Sequence, residues 1–156
     1  VVGPVISAAH RDRVESYVAL GREEGATVLA GGERPAFDRG FYVAPTLIAD
    51  AKPGMRVVQE EIFGPVVVVL PFDDEDEGIA LANGTDFGLN DYVFSGDTAR
   101  ALRAARRLRS GSVALNTAQQ SPEAPFGGFK ASGVGRDRGS YALYAYSELQ
   151  SIVWPG

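Results

Sequence analysis

The stretch from Glu60 to Leu70 constrains this chain most: Glu60-Glu61-Ile62-Phe63-Gly64-Pro65 runs straight into Val66-Val67-Val68-Val69-Leu70. A β-branched run with no polar interruption predicts a strand covered on both faces, as in a parallel sheet flanked by helices. Gly64 and Pro65 fix the entry to it, Gly by accepting unusual backbone angles and Pro by locking its own φ. Extended backbone would put Glu61 and Phe63 on one face. A carboxylate accepts two hydrogen bonds from vicinal hydroxyls, and a phenyl ring offers a flat contact. The pair therefore suits a ligand made of a sugar and a ring. The plain alternative is an exposed glutamate and a core phenylalanine beside a turn.

The flanking sequence supplies helices and strands in alternation. Ser7 can cap a helix running to about Glu24, with Val14, Tyr17, Val18 and Leu20 near helical spacing and Gly25 ending it. Thr27 to Ala30 predicts a short strand, and residues 31–40 a polar loop. Phe41 to Ala44 and Thr46 to Ile48 flank Pro45, which predicts an edge or an irregular hairpin. Beyond the valines, Asp73 or Asp74 opens a helix ended by Asn83-Gly84, and Tyr92 to Phe94 predicts a strand. Asp97 caps a helix bearing Arg100, Arg103, Arg106, Arg107 and Arg109, a solvated basic face. Gly111 to Asn116 supplies another strand. Strand–helix–strand alternation predicts right-handed crossovers in a parallel α/β sheet. A Gly- and Pro-rich loop covers residues 117–139, long enough to suggest a functional role. A short aromatic helix near Tyr141 and a last strand through Leu149, Ile152 and Val153 complete the chain.

Composition narrows the functions. A chain of 156 residues with 45% hydrophobic content can bury a core within one domain or a large piece of one. Its net charge of -5 argues against general nucleic-acid binding, and no apolar run reaches membrane-spanning length. There is no cysteine, hence neither a disulfide nor a thiol nucleophile within these residues, and one histidine, His10, leaves little for a metal site. These features fit a cytoplasmic setting. The Val-Val start suggests a processed product or part of a longer protein. Nor do the glycines spell a nucleotide loop. Ala131 separates Lys130 from Ser132, which breaks the P-loop pattern, and Gly133, Gly135 and Gly139 have the wrong last interval for a dinucleotide fingerprint. What remains is a tightly folded loop, with Lys130 and Arg136 bonding carbonyls or a carboxylate.

Several motifs recur in order: Gly3-Pro4 with its helix, Gly31-Gly32, Phe41-Tyr42-Val43-Ala44-Pro45-Thr46, and Glu60 to Pro65. Asn83-Gly84-Thr85-Asp86-Phe87-Gly88-Leu89, Gly111 to Asn116, and Pro125 to Arg136 follow. The ordered series resembles the carboxy-terminal part of the aldehyde dehydrogenase superfamily. That resemblance implies an α/β, parallel-sheet catalytic subdomain over residues 1–144. It also implies a terminal strand over 145–156 for subunit contact in a homo-oligomer. The activity implied is oxidation of an aldehyde to a carboxylic acid with NAD or NADP, through a cysteine thioester. Glu61 would bind the nicotinamide ribose, and Phe63 would pack near the nicotinamide ring. His10 and Arg13 match helix positions approaching the ribose side. Asn116 and Phe126 flank the aldehyde tunnel, whose intervening residues 117–124 would shape substrate choice. Asn116 could equally be a strand-end amide bonding loop backbone, and Phe126 core filler.

By the same resemblance, the nucleophilic cysteine, the general-base glutamate and the cofactor-binding fold belong to sequence preceding Val1. The residues at hand are expected to be inactive alone. Asp137 and Gln150 depart from the family's glutamate and lysine in a structural and subunit-contact region. Arg136 and Glu148 could pair across the terminal segment. Two further readings stand beside the dehydrogenase: a non-catalytic subunit-contact module, and part of a related reductase acting on coenzyme A thioesters.

Overall fold

A computed structural model describes residues 2–156. The chain forms two compact units, residues 1–74 and 75–156. The sequence marks no linker at that boundary.

In the first unit, Ser7 accepts a hydrogen bond from the backbone N–H of His10 and so opens helix α1, Ala8–Glu23. The Ser7 hydroxyl satisfies one of the donors that a helix start leaves unpaired. Gly25 takes φ +95° just past the end. Strand β1 is Thr27–Ala30 and β2 is Thr46–Ala49; α2 is a single turn, Arg56–Gln59, and β3 is Val66–Val68. The sheet order is β1-β2-β3, antiparallel between the first two and parallel between the last two. The core joins Val14 and Tyr17 of α1 to Ile48 of β2 and to Val43, Met55, Val57 and Ile62. Val14 and Ile48 are wholly buried.

Two sequence expectations change here. Phe41–Ala44 forms no strand, so Pro45 interrupts no hairpin; it precedes β2, the middle strand of the sheet. The valine run is not covered on both faces. Burial alternates along it, with Val67 and Val69 exposed at 59% and 47%. β3 is the edge of its sheet, and only one of its faces meets the core.

The second unit holds α3 (Glu75–Asn83), β4 (Phe87–Gly88), β5 (Asn90–Val93), α4 (Thr98–Ala105), β6 (Ser112–Leu115), β7 (Phe129–Lys130) and α5 (Ala142–Ala145). β5 and β6 pair in parallel across α4, a strand–helix–strand unit of the kind the alternation predicts. Asp97 caps α4 through the N–H of Arg100. That bond holds its carboxyl below the usual range. Two of the five arginines on the basic face are paired, Arg100 with Glu75 and Arg107 with Asp76. The long loop is clipped down by the β4–β7 pair and by a bridge between Phe126 and Asp137.

Residues 147–156 carry no ladder in this single chain. A segment that pairs only with another chain would show none. No helix among the described residues is long and apolar enough to cross a membrane, and no cluster of metal-ligating side chains occurs among them.

Candidate functional site

The first site is a corner built on α1. His10 and Arg13, three residues apart, project from the same side of the helix. His10 Nε2 donates to the Phe63 carbonyl at 2.6 Å, and Arg13 Nη2 donates to the Glu61 carbonyl at 2.8 Å. Between these ties lies Gly64. A Cβ added there would stand 2.7 Å from both methyls of buried Val14, so only glycine lets the corner sit this close. The Pro65 carbonyl then accepts the N–H of Thr46 at 2.9 Å and starts β3 against β2.

So held, Phe63 adopts φ +59°, a conformation that bulky side chains rarely take. Its ring is 66% exposed, 5.9 Å from the His10 ring centroid and tilted by 39°. The positive φ means the corner is not extended, and Phe63 is not a core residue. The Glu61 carboxylate is exposed and makes no hydrogen bond or ion pair among the described residues. Its neighbour does the opposite. Glu60 accepts from Arg56 Nε at 2.6 Å and from Tyr17 Oη at 2.7 Å. These bonds, Arg56 first, hold its carboxyl down to about 2. One carboxylate braces the corner while the other is left free, with an aromatic ring beside it. His10, Arg13, Glu61 and Phe63 thus come together, though the His10 and Arg13 side chains are engaged with loop carbonyls.

The second site lies in the other unit. Asn116, at the end of β6 with φ +53°, accepts from the N–H of Ser95 and donates to the Ser95 carbonyl, at 2.8 and 3.0 Å. That is the strand-end role. Phe126 lines a cavity of about 160 Å³ with Asn90, Ser112, Thr117, Gln120 and Arg138 among its walls. The Arg138 guanidinium carbon sits 4.8 Å from the centre of the Phe126 ring. Lys130 donates to the carbonyls of Asn83 and Thr85, and Arg136 to those of Gly128 and Gly135. Arg136 is therefore a loop brace rather than a partner of Glu148.

Comparison with known proteins decides the family. The aldehyde dehydrogenase family matches residues 1–152. The chain belongs to the aldehyde dehydrogenase family. It is 46% identical over 155 residues to the betaine aldehyde dehydrogenase of Brucella ovis, which covers 97% of this chain and 32% of that protein. The solved structure of Mycobacterium tuberculosis aldehyde dehydrogenase complexed with NAD+ superposes with a TM-score of 0.96 at 40% identity, covering 99% of this chain and 32% of that one. An NAD-dependent aldehyde dehydrogenase from Sinorhizobium meliloti gives 0.91 at 45% identity, covering 94% and 29%. The chain thus spans about a third of the length of the aldehyde dehydrogenases it matches.

Sequence reasoning missed Glu60 as a brace and Arg138 as a pocket residue. For Glu60 a signal existed, since Arg56 and Glu60 stand four apart across a helical turn. For Arg138 there was none, because its position depends on the bridge that ties its neighbour Asp137 to Phe126 across the loop.

Proposed function

We propose that this chain is the carboxy-terminal part of an NAD(P)-dependent aldehyde dehydrogenase that oxidises an aldehyde to a carboxylic acid. Within it, residues 1–74 supply a clamp for the cofactor's ribose, and residues 117–126 supply one wall of the substrate chamber. The observation that carries this is the unpartnered Glu61 carboxylate at a corner whose backbone is pinned at both Glu61 and Phe63. A carboxylate left free beside an exposed ring fits a diol joined to a flat heterocycle, and its fixed loop lowers the ordering cost of binding. When bound, the nicotinamide would take up the hydride that leaves the substrate carbon. This chain's own residues bind and orient: Glu61 accepts the ribose hydroxyls, Phe63 limits where the ring can lie, and His10 and Arg13 hold both in place. With no cysteine present, the family's thiol nucleophile is not among these residues.

Two measurements test the reading. The 156-residue chain alone is expected to reduce neither NAD nor NADP in the presence of an aldehyde, and sustained turnover from a homogeneous sample would overturn that. In a chain that also carries the cysteine, Glu61→Gln should raise KM for the cofactor about tenfold or more, the effect of weakening a charge-assisted hydrogen bond. An unchanged KM would remove Glu61 from the site.

A second reading, the subunit-contact module, is favoured by the terminal segment. Leu149, Ile152, Val153 and Trp154 are between 82% and 93% exposed, an apolar run that self-association would cover. Light scattering should then give a mass above one chain. A strict monomer at all concentrations would remove it.

A further inference from the structure

The cavity beside Phe126 has a chemistry of its own. It is lined by residues of β5, β6 and the 117–126 loop, and at about 160 Å³ it has room for a molecule of a few heavy atoms. Its one charged lining residue is Arg138; among the described lining residues there is no carboxylate. Arg138 is held with care. Its backbone takes φ +63°, a costly conformation for a long side chain, and its N–H bonds Asp137 Oδ1 at 2.8 Å. Gly139 next to it, at φ +58°, leaves no space for a Cβ against the Glu123 carbonyl, so this turn is locked to the loop. The guanidinium lies over Phe126 and donates to Gln120 Oε1 at 3.2 Å, which leaves most of its donors unused by this loop.

Asn90, another of the lining residues, donates from Nδ2 to Tyr92 Oη at 2.6 Å, while its Oδ1 is buried without a partner. A buried amide atom left unmatched costs free energy until a ligand or water meets it. Turned over, the same amide would present a donor instead.

We propose that this pocket takes a small carboxylate whose far end is polar, a hydroxy or oxo acid. Its carboxylate lies against Arg138, and its other end reaches the Asn90 amide. If the pocket is the aldehyde chamber of the reading above, the substrate is an oxo acid, an aldehyde carrying a carboxylate, and not a cationic aldehyde. An unpaired guanidinium with no acidic residue opposite repels a quaternary ammonium and attracts a carboxylate, which can accept its paired donors.

The test is direct binding, which needs no turnover. The isotope-labelled chain is titrated with γ-hydroxybutyrate and, separately, with choline, and the amide signals of Asn90, Ser112 and Thr117 are followed. The acid should move them to saturation and choline should not; equal response to choline, or none to the acid, overturns the proposal. Arg138→Gln should weaken acid binding roughly tenfold, and Arg138→Lys, which keeps the charge but loses the paired donors, should weaken it by less. Unchanged binding in Arg138→Gln also overturns it. Should Arg138→Gln fail to fold, Asn90→Asp decides. A carboxylate in the pocket wall should weaken the acid and admit choline, and an unaltered preference counts against the site. In a chain that also carries the cysteine, acid binding without any dehydrogenase activity would leave this site standing while the catalytic reading falls. Turnover of a neutral aldehyde without acid binding would do the reverse.

Discussion

Gly64 and Val14 show how little room the corner has. A methyl placed on Gly64 meets two Val14 methyls at 2.7 Å, and Val14 is wholly buried, so neither can yield without disturbing the core. Gly64→Ala should cost about 1–3 kcal/mol, as overpacking does elsewhere. Pairing it with Val14→Ala should recover part of the loss; urea melts of both variants would show whether it does. Glu60 offers a second residue-scale test. Its folded carboxyl titrates at about 2 against an ordinary 4.5, so between those values the unfolded chain binds the proton more readily. The stability it contributes is complete above pH 4.5 and is lost as pH falls towards 2. Thermal melts across that interval should fall less steeply in Glu60→Gln than in the parent, and parallel curves would exclude the brace. At this scale the sequence was half legible. Glu61 and Phe63 announce themselves beside Gly64-Pro65, but the ties from His10 and Arg13 cross some fifty positions and leave no local pattern.

Helices α1 and α4 begin with different caps, and acid separates them. Ser7 is neutral and Asp97 ionised, each accepting one helix N–H. Replacing Ser7 by Ala should cost about 1 kcal/mol near neutral pH, and replacing Asp97 should destabilise as well. Because the helix bond lowers the Asp97 pKa, the folded form resists protonation, and the Asp97 contribution disappears as pH drops below the ordinary carboxylate range. The Asp97→Ala penalty should therefore shrink in acid while the Ser7→Ala penalty does not, a comparison that chemical denaturation at two pH values makes. The elements with local stop and start signals were readable in advance. Ser7 and Gly25 bracket α1, Asp97 starts α4, and β1 falls on Thr27–Ala30. Those that depend on distant partners were not. A valine run reads the same whether one face or two are covered, and Pro45 looks like an edge signal although it stands just ahead of a central strand. Residues 147–156 belong with them: the sequence predicts a last strand there, and the single chain shows no ladder.

For the molecule as a whole, Trp154 is the single tryptophan and is 86% exposed. Its fluorescence should be that of an indole in water when the chain is dilute. If the terminal segment meets a second copy, the emission should move to the blue as concentration rises, and a constant spectrum would speak against that contact. The same view bears on β3. Its outer edge is unpaired within the sheet, and its exposed valines face outward from a run that has no charge and no interior proline. Such a segment is the raw material of cross-β stacking. Pro65 and Pro71 stand at its two ends, with Asp73 and Asp74 just beyond, where neither hydrogen-bond ladder nor neutral surface can extend. Pro71→Val would remove one of these stops and should make the chain more prone to stack, which thioflavin fluorescence of the variant beside the parent would show.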